Sequence, residues 1–243
     1  MHLAEATWAD AANAETTLAL LPVGSTEQHG PHAPLGTDTL NAEAVARAGE
    51  SAYDGEVVIT PTIPVGVAEE HRDFAGTMWV SPDTFRSYVR EAATSLAYHG
   101  FNRLVFVNGH GGNVDALAEV AARLSRDETG YAVAFTWFNA VDSNLPMGHG
   151  GARETALLRA TNPDLVREDR VEEARAGASD RWGEWVAGVN LAHDAAAFTE
   201  NGVVGDPGQG SPDDGATMLE QAGNALAEVL TAIESRALDD RRA

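Results

Sequence analysis

The sequence predicts an α/β fold, a three-layer α/β/α sandwich with a mainly parallel central sheet. Three observations predict it. Four short apolar runs alternate with stretches of helical period, the order of a parallel sheet crossed by helices. The runs are nearly continuous and rich in branched residues, as in strands buried on both faces. The chain has 243 residues and is 44% hydrophobic, enough for one sizeable core. We therefore expect a single domain over residues 1–243.

The first strand is Leu18–Val23. The stretch after it, "GSTEQHGPHAPLGTD" from Gly24 to Asp38, is broken by Gly and Pro and cannot be helix. Helix Thr39–Ser51 follows, with Asp38 at its start, where a carboxylate suits the helix dipole. The second strand is Val57–Ile63. Helix Ser81–Tyr98 starts with Ser81 as N-cap and Pro82 at the first helical position, and stops at Gly100. The third strand, Leu104–Val107, leads through "NGHGGN" into helix Val114–Arg126. The fourth is Tyr131–Trp137, and "MGHG" opens helix Gly151–Ala160. Residues Val166–Gly210 show no clear period. The last helix, Pro212–Ala237, again has Ser before Pro.

Composition narrows the function. There is no cysteine, so any metal must take nitrogen and oxygen ligands. No apolar run is long enough to span a membrane, and no secretory leader is visible, so the expected compartment is the cytoplasm. Formal net charge is -21, and all 16 basic residues are arginine. Such a surface repels nucleic acid and anionic membrane. Molar salt, with a Debye length of about 3 Å, relieves the self-repulsion, so we expect a halophilic protein.

Ligands of such sheets bind beyond the carboxyl ends of the strands. Glu27 and His29 follow the first strand, and residues two apart in extended chain point the same way. Asp38 stands ready to bridge two cations. His110 follows the third strand between glycines that let backbone approach a ligand. His149 and Glu154 flank the start of a later helix. Carboxylates mixed with imidazoles suit zinc, manganese or iron, and two such ions can activate water and polarise a carbonyl. His2, His99 and His193 lack such company and are expected at the surface or satisfied. His32 and His71 stand between: His32, in the opening loop, either lines the site or hydrogen-bonds a group that does. A non-catalytic phosphate or nucleotide binder is the rival reading, with "GHGGN" before a helix presenting N–H groups to an anion. It does not account for Glu27 and Asp38. A serine hydrolase lacks its GxSxG elbow.

The motifs "LPVGSTEQHGPHAPLGTD", "VNGHGGN", "HGGARETALL" and "NGVVGDP" resemble, in order and spacing, those of the creatininase (creatinine amidohydrolase) family. The resemblance implies two divalent metal ions (Zn, Mn or Fe) and hydrolysis of a C–N bond in an amide, formamide or cyclic amide of a small molecule. It implies that Glu27 and His110 hold one ion, His29 the other, and that Asp38 bridges them. Creatinine-cleaving members carry a further carboxylate where this chain has Gly112, so Glu154 is the candidate replacement. His149 matches a histidine placed to shuttle a proton or hold the scissile carbonyl. The same members have an aromatic residue at Gly111 and an acid at Gly148, so creatinine itself fits less well. The family also includes a formamidopyrimidine-nucleotide deformylase and a peptidase trimming a redox-cofactor precursor. Arg72, Arg153 and the "GVAEEHRDF" loop are candidates to meet a substrate phosphate or carboxylate, with pairing to surface acids the alternative. A homo-oligomer, as in the hexamers of the family, is also implied.

Overall fold

A computed structural model describes residues 1–236. Four parallel strands form the central sheet: β1 (Leu18–Val23), β2 (Val58–Ile59), β3 (Arg103–Asn108) and β4 (Tyr131–Thr136), in the spatial order β2-β1-β3-β4. After a short N-terminal helix α1 (Trp8–Ala12), the main helices are α2 (Thr37–Ala52), α3 (Pro82–Tyr98), α4 (Val114–Arg126), α5 (Ala152–Thr161), α6 (Val171–Ala176) and α7 (Pro212–Glu234). Ala237, the expected end of the last helix, lies outside the described residues.

Alternation along the strands builds two cores. Leu18, Leu20, Val105 and Val107 face one side and pack with Val45 of α2, Leu157 of α5, and Leu226 and Leu230 of α7. Ala19, Leu21, Leu104 and Phe106 face the other side and pack with Phe85 and Val89 of α3 and Leu117 and Val120 of α4. Every residue of β1 is buried, which explains its unbroken apolar run. The architecture is the expected α/β/α sandwich.

Caps set the helix starts. Ser81 accepts the Thr84 N–H, and Ser211 forms a reciprocal box with Asp214; both are followed by Pro at the first helical position. The second strand is shorter than its apolar run. Thr60 N–H still reaches Leu20, but after Pro61 the chain carries one extra residue, and pairing resumes only at Ile63. The gap also lets a proline sit in a central strand. The Pro22 carbonyl accepts from Ile63 N–H at 3.0 Å, so its ring nitrogen faces the side where the ladder is already interrupted.

The strand order places the site. The chain runs from β1 to β2 on one side, then crosses to β3 on the other. β1 and β3 are neighbours whose following loops diverge from a common crevice, the switch point where ligands of such sheets bind. The unreadable segment holds α6 and a small antiparallel hairpin, β5 (Trp185–Val186) and β6 (Val189–Asn190), ahead of α7.

Candidate metal centre

Three loops are tied together above the sheet. Asn113, at the start of α4, donates its amide to the Gly24 carbonyl and accepts the Val67 N–H, both at 3.0 Å. Thr26 pairs with Met78 across the crevice, and Glu27 N–H closes the opening loop on Leu35. These bonds are why an irregular segment has one conformation. They bury Glu27 and His29 completely and leave Asp38, His110, Glu154 and His149 between 1% and 8% exposed.

The six side chains meet at one place. Asp38 turns one oxygen to each side: Oδ1 lies 3.1 Å from His29 Nε2, and Oδ2 lies 3.2 Å from His110 Nδ1. Glu27 Oε1 is 3.1 Å from the same His110 nitrogen. Glu154 Oε2 is 3.7 Å from His29 Nε2. Ligand atoms of Glu27, Asp38 and His110 lie within 4.8 Å of one another, as do those of His29, His149 and Glu154. The rings are oriented from behind. His110 Nε2 donates to the Val67 carbonyl at 2.7 Å, and His29 Nδ1 donates to the Glu27 carbonyl at 3.1 Å. Each therefore turns its other nitrogen to the carboxylates, the arrangement of metal-binding imidazoles.

Charge is unbalanced here. Three carboxylates are buried, and no arginine pairs with any of them among the described residues. Beyond the imidazoles of this cluster, both oxygens of Glu27 and Oδ2 of Asp38 have no hydrogen-bonding partner. Buried anions of this kind need cations. In metal-free protein, protons would take that role. Burial disfavours charge on His29, but Asp38, Glu154 and Glu27 outweigh it and raise its pKa to about 10. His110 is also raised, against its burial, by Glu27 and Asp38. Burial pushes Glu154 up to about 7. His149, desolvated and beside His29 and His71, is held well below its ordinary value and stays neutral. A folded-state pKa raised above the unfolded value contributes stability present at low pH and lost as pH rises through the folded value. The metal-free protein is thus expected to lose stability between pH 6.5 and about 10, and zinc should abolish that slope by displacing the protons. Urea melts across this range, with and without zinc, check it.

A cleft of about 290 Å³ opens onto the centre, lined among others by Glu70, His71, His149, Met147 and Trp182. His71 is a site residue that sequence reasoning left undecided. It is 1% exposed, with Nε2 3.5 Å from Glu27 Oε1, and its ring stacks on His149 at 4.3 Å. Its signal was its place in the loop beyond the carboxyl end of the second strand. His32 stands behind the centre, with Nε2 2.9 Å from the Thr155 hydroxyl; burial lowers its pKa to about 4. His2 pairs with Glu50, while His99 and His193 are exposed. Of the two arginines, Arg72 takes the alternative of pairing with an acid, while Arg153 is engaged by backbone carbonyls. Arg72 pairs with Asp194 at 2.7 Å, and Arg153 donates to the carbonyls of Leu145, Phe138 and Ser143.

A doubly covered parallel sheet with a buried carboxylate–imidazole cluster at its switch point defines the class: a three-layer α/β protein with a candidate metal centre. A family model described as "Creatininase: Creatinine amidohydrolase" matches residues 4–230, and the chain belongs to this creatininase family. It is a family amidohydrolase, an enzyme of carbon–nitrogen bonds. It is 36% identical over 197 residues to a mycofactocin precursor peptide peptidase of Mycobacterium ulcerans, covering 77% of this chain and 74% of the relative. It is 30% identical over 177 residues to a creatinine amidohydrolase of Pseudomonas putida, covering 63% of this chain and 67% of the relative. Among solved structures, a manganese creatininase and a mutant creatininase of the Zn-Zn type each superpose with a TM-score of 0.80 at 24% identity. They cover 97% of this chain and 99% and 98% of theirs, respectively.

Proposed function

We propose that the chain is a dinuclear, metal-dependent hydrolase of a peptide C–N bond. One observation carries the metal reading: Asp38 divides its two oxygens between His29 and His110, beside a buried Glu27 carboxylate that has no cationic side chain but imidazole near it. Glu27, His110 and one Asp38 oxygen would hold one ion. His29, Glu154 and the other Asp38 oxygen would hold the second. The donor set suits zinc, manganese or iron, and the manganese and zinc neighbours support the first two. Such a pair, when bound, activates water and polarises the scissile carbonyl.

The protein supplies the rest. His149 donates Nε2–H to the Gln28 carbonyl at 2.6 Å, which leaves Nδ1 as a lone pair turned to Glu27 Oε1, 3.7 Å away. A neutral ring in that place takes a proton from the attacking water and returns it to the leaving nitrogen. Met147 and Trp182 give the cleft an apolar wall. The peptidase relative is nearer in identity than the creatinine-cleaving one, and Gly111, Gly112 and Gly148 remove side chains the creatinine-cleaving members carry. Pairing of Arg72 with Asp194 and of Arg153 with backbone carbonyls weakens both as contacts for a substrate phosphate or carboxylate.

The same reading covers one domain over residues 1–243, a cytoplasmic setting at high salt, and a homo-oligomer. No described helix is long and apolar enough to cross a membrane. Exposed Trp8, Met78, Trp79 and Trp185 offer apolar surface for self-association.

The test is metal analysis joined to a hydrolysis screen in molar salt. We expect about two transition-metal ions per chain. We also expect cleavage of short peptides in preference to creatinine or a formamidopyrimidine nucleotide, lost to a chelator and restored by Zn, Mn or Fe(II). A chain that takes up no transition metal under any of these conditions is not this enzyme.

A further inference from the structure

We propose that His71 is a fixed N–H donor to the Glu27 carboxylate, not a metal ligand, and that the Gln28 side chain fixes it so. The proposal rests on Glu27 being a ligand. Its ground is the hydrogen-bond arithmetic of one amide. Gln28 Oε1 accepts the Gly30 N–H at 2.9 Å, and Gln28 Nε2 donates to the Gly202 carbonyl at 3.0 Å. Turning the amide over would set oxygen against a carbonyl and N–H against N–H, so its orientation is decided. The second hydrogen on Nε2 points at His71 Nδ1, 2.8 Å away. That ring nitrogen must accept. A neutral imidazole accepting at Nδ1 carries its hydrogen on Nε2, the atom 3.5 Å from Glu27 Oε1. Closure by a few tenths of an ångström makes that approach a hydrogen bond of ordinary length.

His71 cannot ligate through Nδ1 without evicting Gln28, nor through Nε2 without losing its last ring proton. The trio Glu27, His71 and His149 brings its ligand atoms within 4.8 Å, but it is a hydrogen-bonding group rather than a cation site. Gln28 sets both stacked rings. Its backbone carbonyl takes the His149 Nε2–H, and its side chain takes the lone pair of His71. One ring therefore offers the cleft a lone pair and its neighbour offers a proton. The motif "NGVVGDP" gains a purpose here: Gly202 has φ 86°, which aims its carbonyl at Gln28, and a Cβ there would overlap the Gln28 amide.

His71 is thus a positioning residue acting through Glu27, and its test needs only zinc as ligand. Partners that orient a ligand typically change metal affinity about 10- to 100-fold. His71→Phe keeps the ring stack and removes the donor. It is expected to bind the wild-type number of zinc ions, with affinity lowered about 10- to 100-fold in chelator competition. His71→Gln, which restores an N–H near the same place, should recover most of the loss. Nitrogen NMR of histidine-labelled, metal-free protein should find the His71 hydrogen on Nε2. Loss of an ion from His71→Phe, wild-type affinity in that variant, or a hydrogen on Nδ1 would each overturn the proposal. If wild-type protein binds no zinc, the metal reading itself fails, and the NMR result still judges the hydrogen on His71.

Discussion

Asp38→Ala is expected to give a folded protein that no longer holds two ions and has lost at least about 10²-fold in kcat/KM. That lower bound is what losing a mere outer partner of a ligand can produce, and Asp38 is placed to do more. Its oxygens lie 3.1 Å and 3.2 Å from the facing nitrogens of His29 and His110, so in the proposed centre its removal would strip a ligand from both halves. The fold should survive because Asp38 caps nothing. The α2 N-terminus is made by the backbone at Gly36, and the helix is anchored by Val45, Ala46 and Ala42 in the cores. The metal-free variant should also behave differently with pH. Asp38 is the largest of the charges that raise His29, so in the variant the loss of stability that sets in above pH 6.5 should be smaller and should be complete below pH 10. His2→Ala is the control. It breaks only an ion pair with Glu50 far from the centre and should keep its metal. Two retained ions in Asp38→Ala, with turnover within about tenfold of wild type, would falsify the bridging role.

The parts of this protein readable in its sequence are those whose cause is local. β1 and β3 are read from branched apolar runs because both faces are buried. Helices α3 and α7 are read from Ser–Pro starts because a cap and the residue after it settle the first turn. Glu27, His29 and Asp38 share one short segment, and His110 sits between glycines after a strand, so proximity along the chain carries much of that pattern. What escaped depends on contacts distant in sequence. His71 enters the centre because its loop is held by Asn113 of α4 and by the Thr26–Met78 pairing, and neither is visible in "GVAEEHRDF". Residues 166–210 have no period because they take their place by single bridges, Ser179 with Val204 and Val204 with His149. The second strand was read too long because apolar content spoke louder than Pro61, after which its ladder breaks until Ile63. Arg72 and Arg153 drew notice as free cations in an acidic chain. Arg72 pairs with distant Asp194 and with neighbouring Glu69, and Arg153 donates to three carbonyls.

A carboxylate restored at position 112, where the creatinine-cleaving members carry one, is expected to dismantle the centre rather than complete it. Gly112 lies against the Val67 carbonyl, and any Cβ there would overlap that oxygen, sit 2.6 Å from His110 Nε2 and 3.2 Å from Glu70 Oε1. The Val67 carbonyl is the acceptor that holds His110 Nε2–H at 2.7 Å and so aims Nδ1 at Glu27 and Asp38. Backbone is the wrong thing to push. Moving Val67 costs about 1–3 kcal/mol as overpacking does, and it frees the ring that supplies a ligand. In Gly112→Glu the new acid also meets the Glu70 carboxylate, which burial already disfavours as an anion. We therefore expect Gly112→Glu to melt earlier and to bind zinc at least about tenfold more weakly. Gly112→Ala separates the causes. If the clash at Cβ dominates, alanine should reproduce most of the loss, and adding Glu70→Ala to Gly112→Glu should return little of it. Tighter zinc binding by Gly112→Glu would mean that the Val67 contact does not anchor His110. The carboxylate missing at position 112 would then be a vacancy this chain tolerates, whereas the structure has Glu154 approaching His29 from α5 on the far side of the crevice.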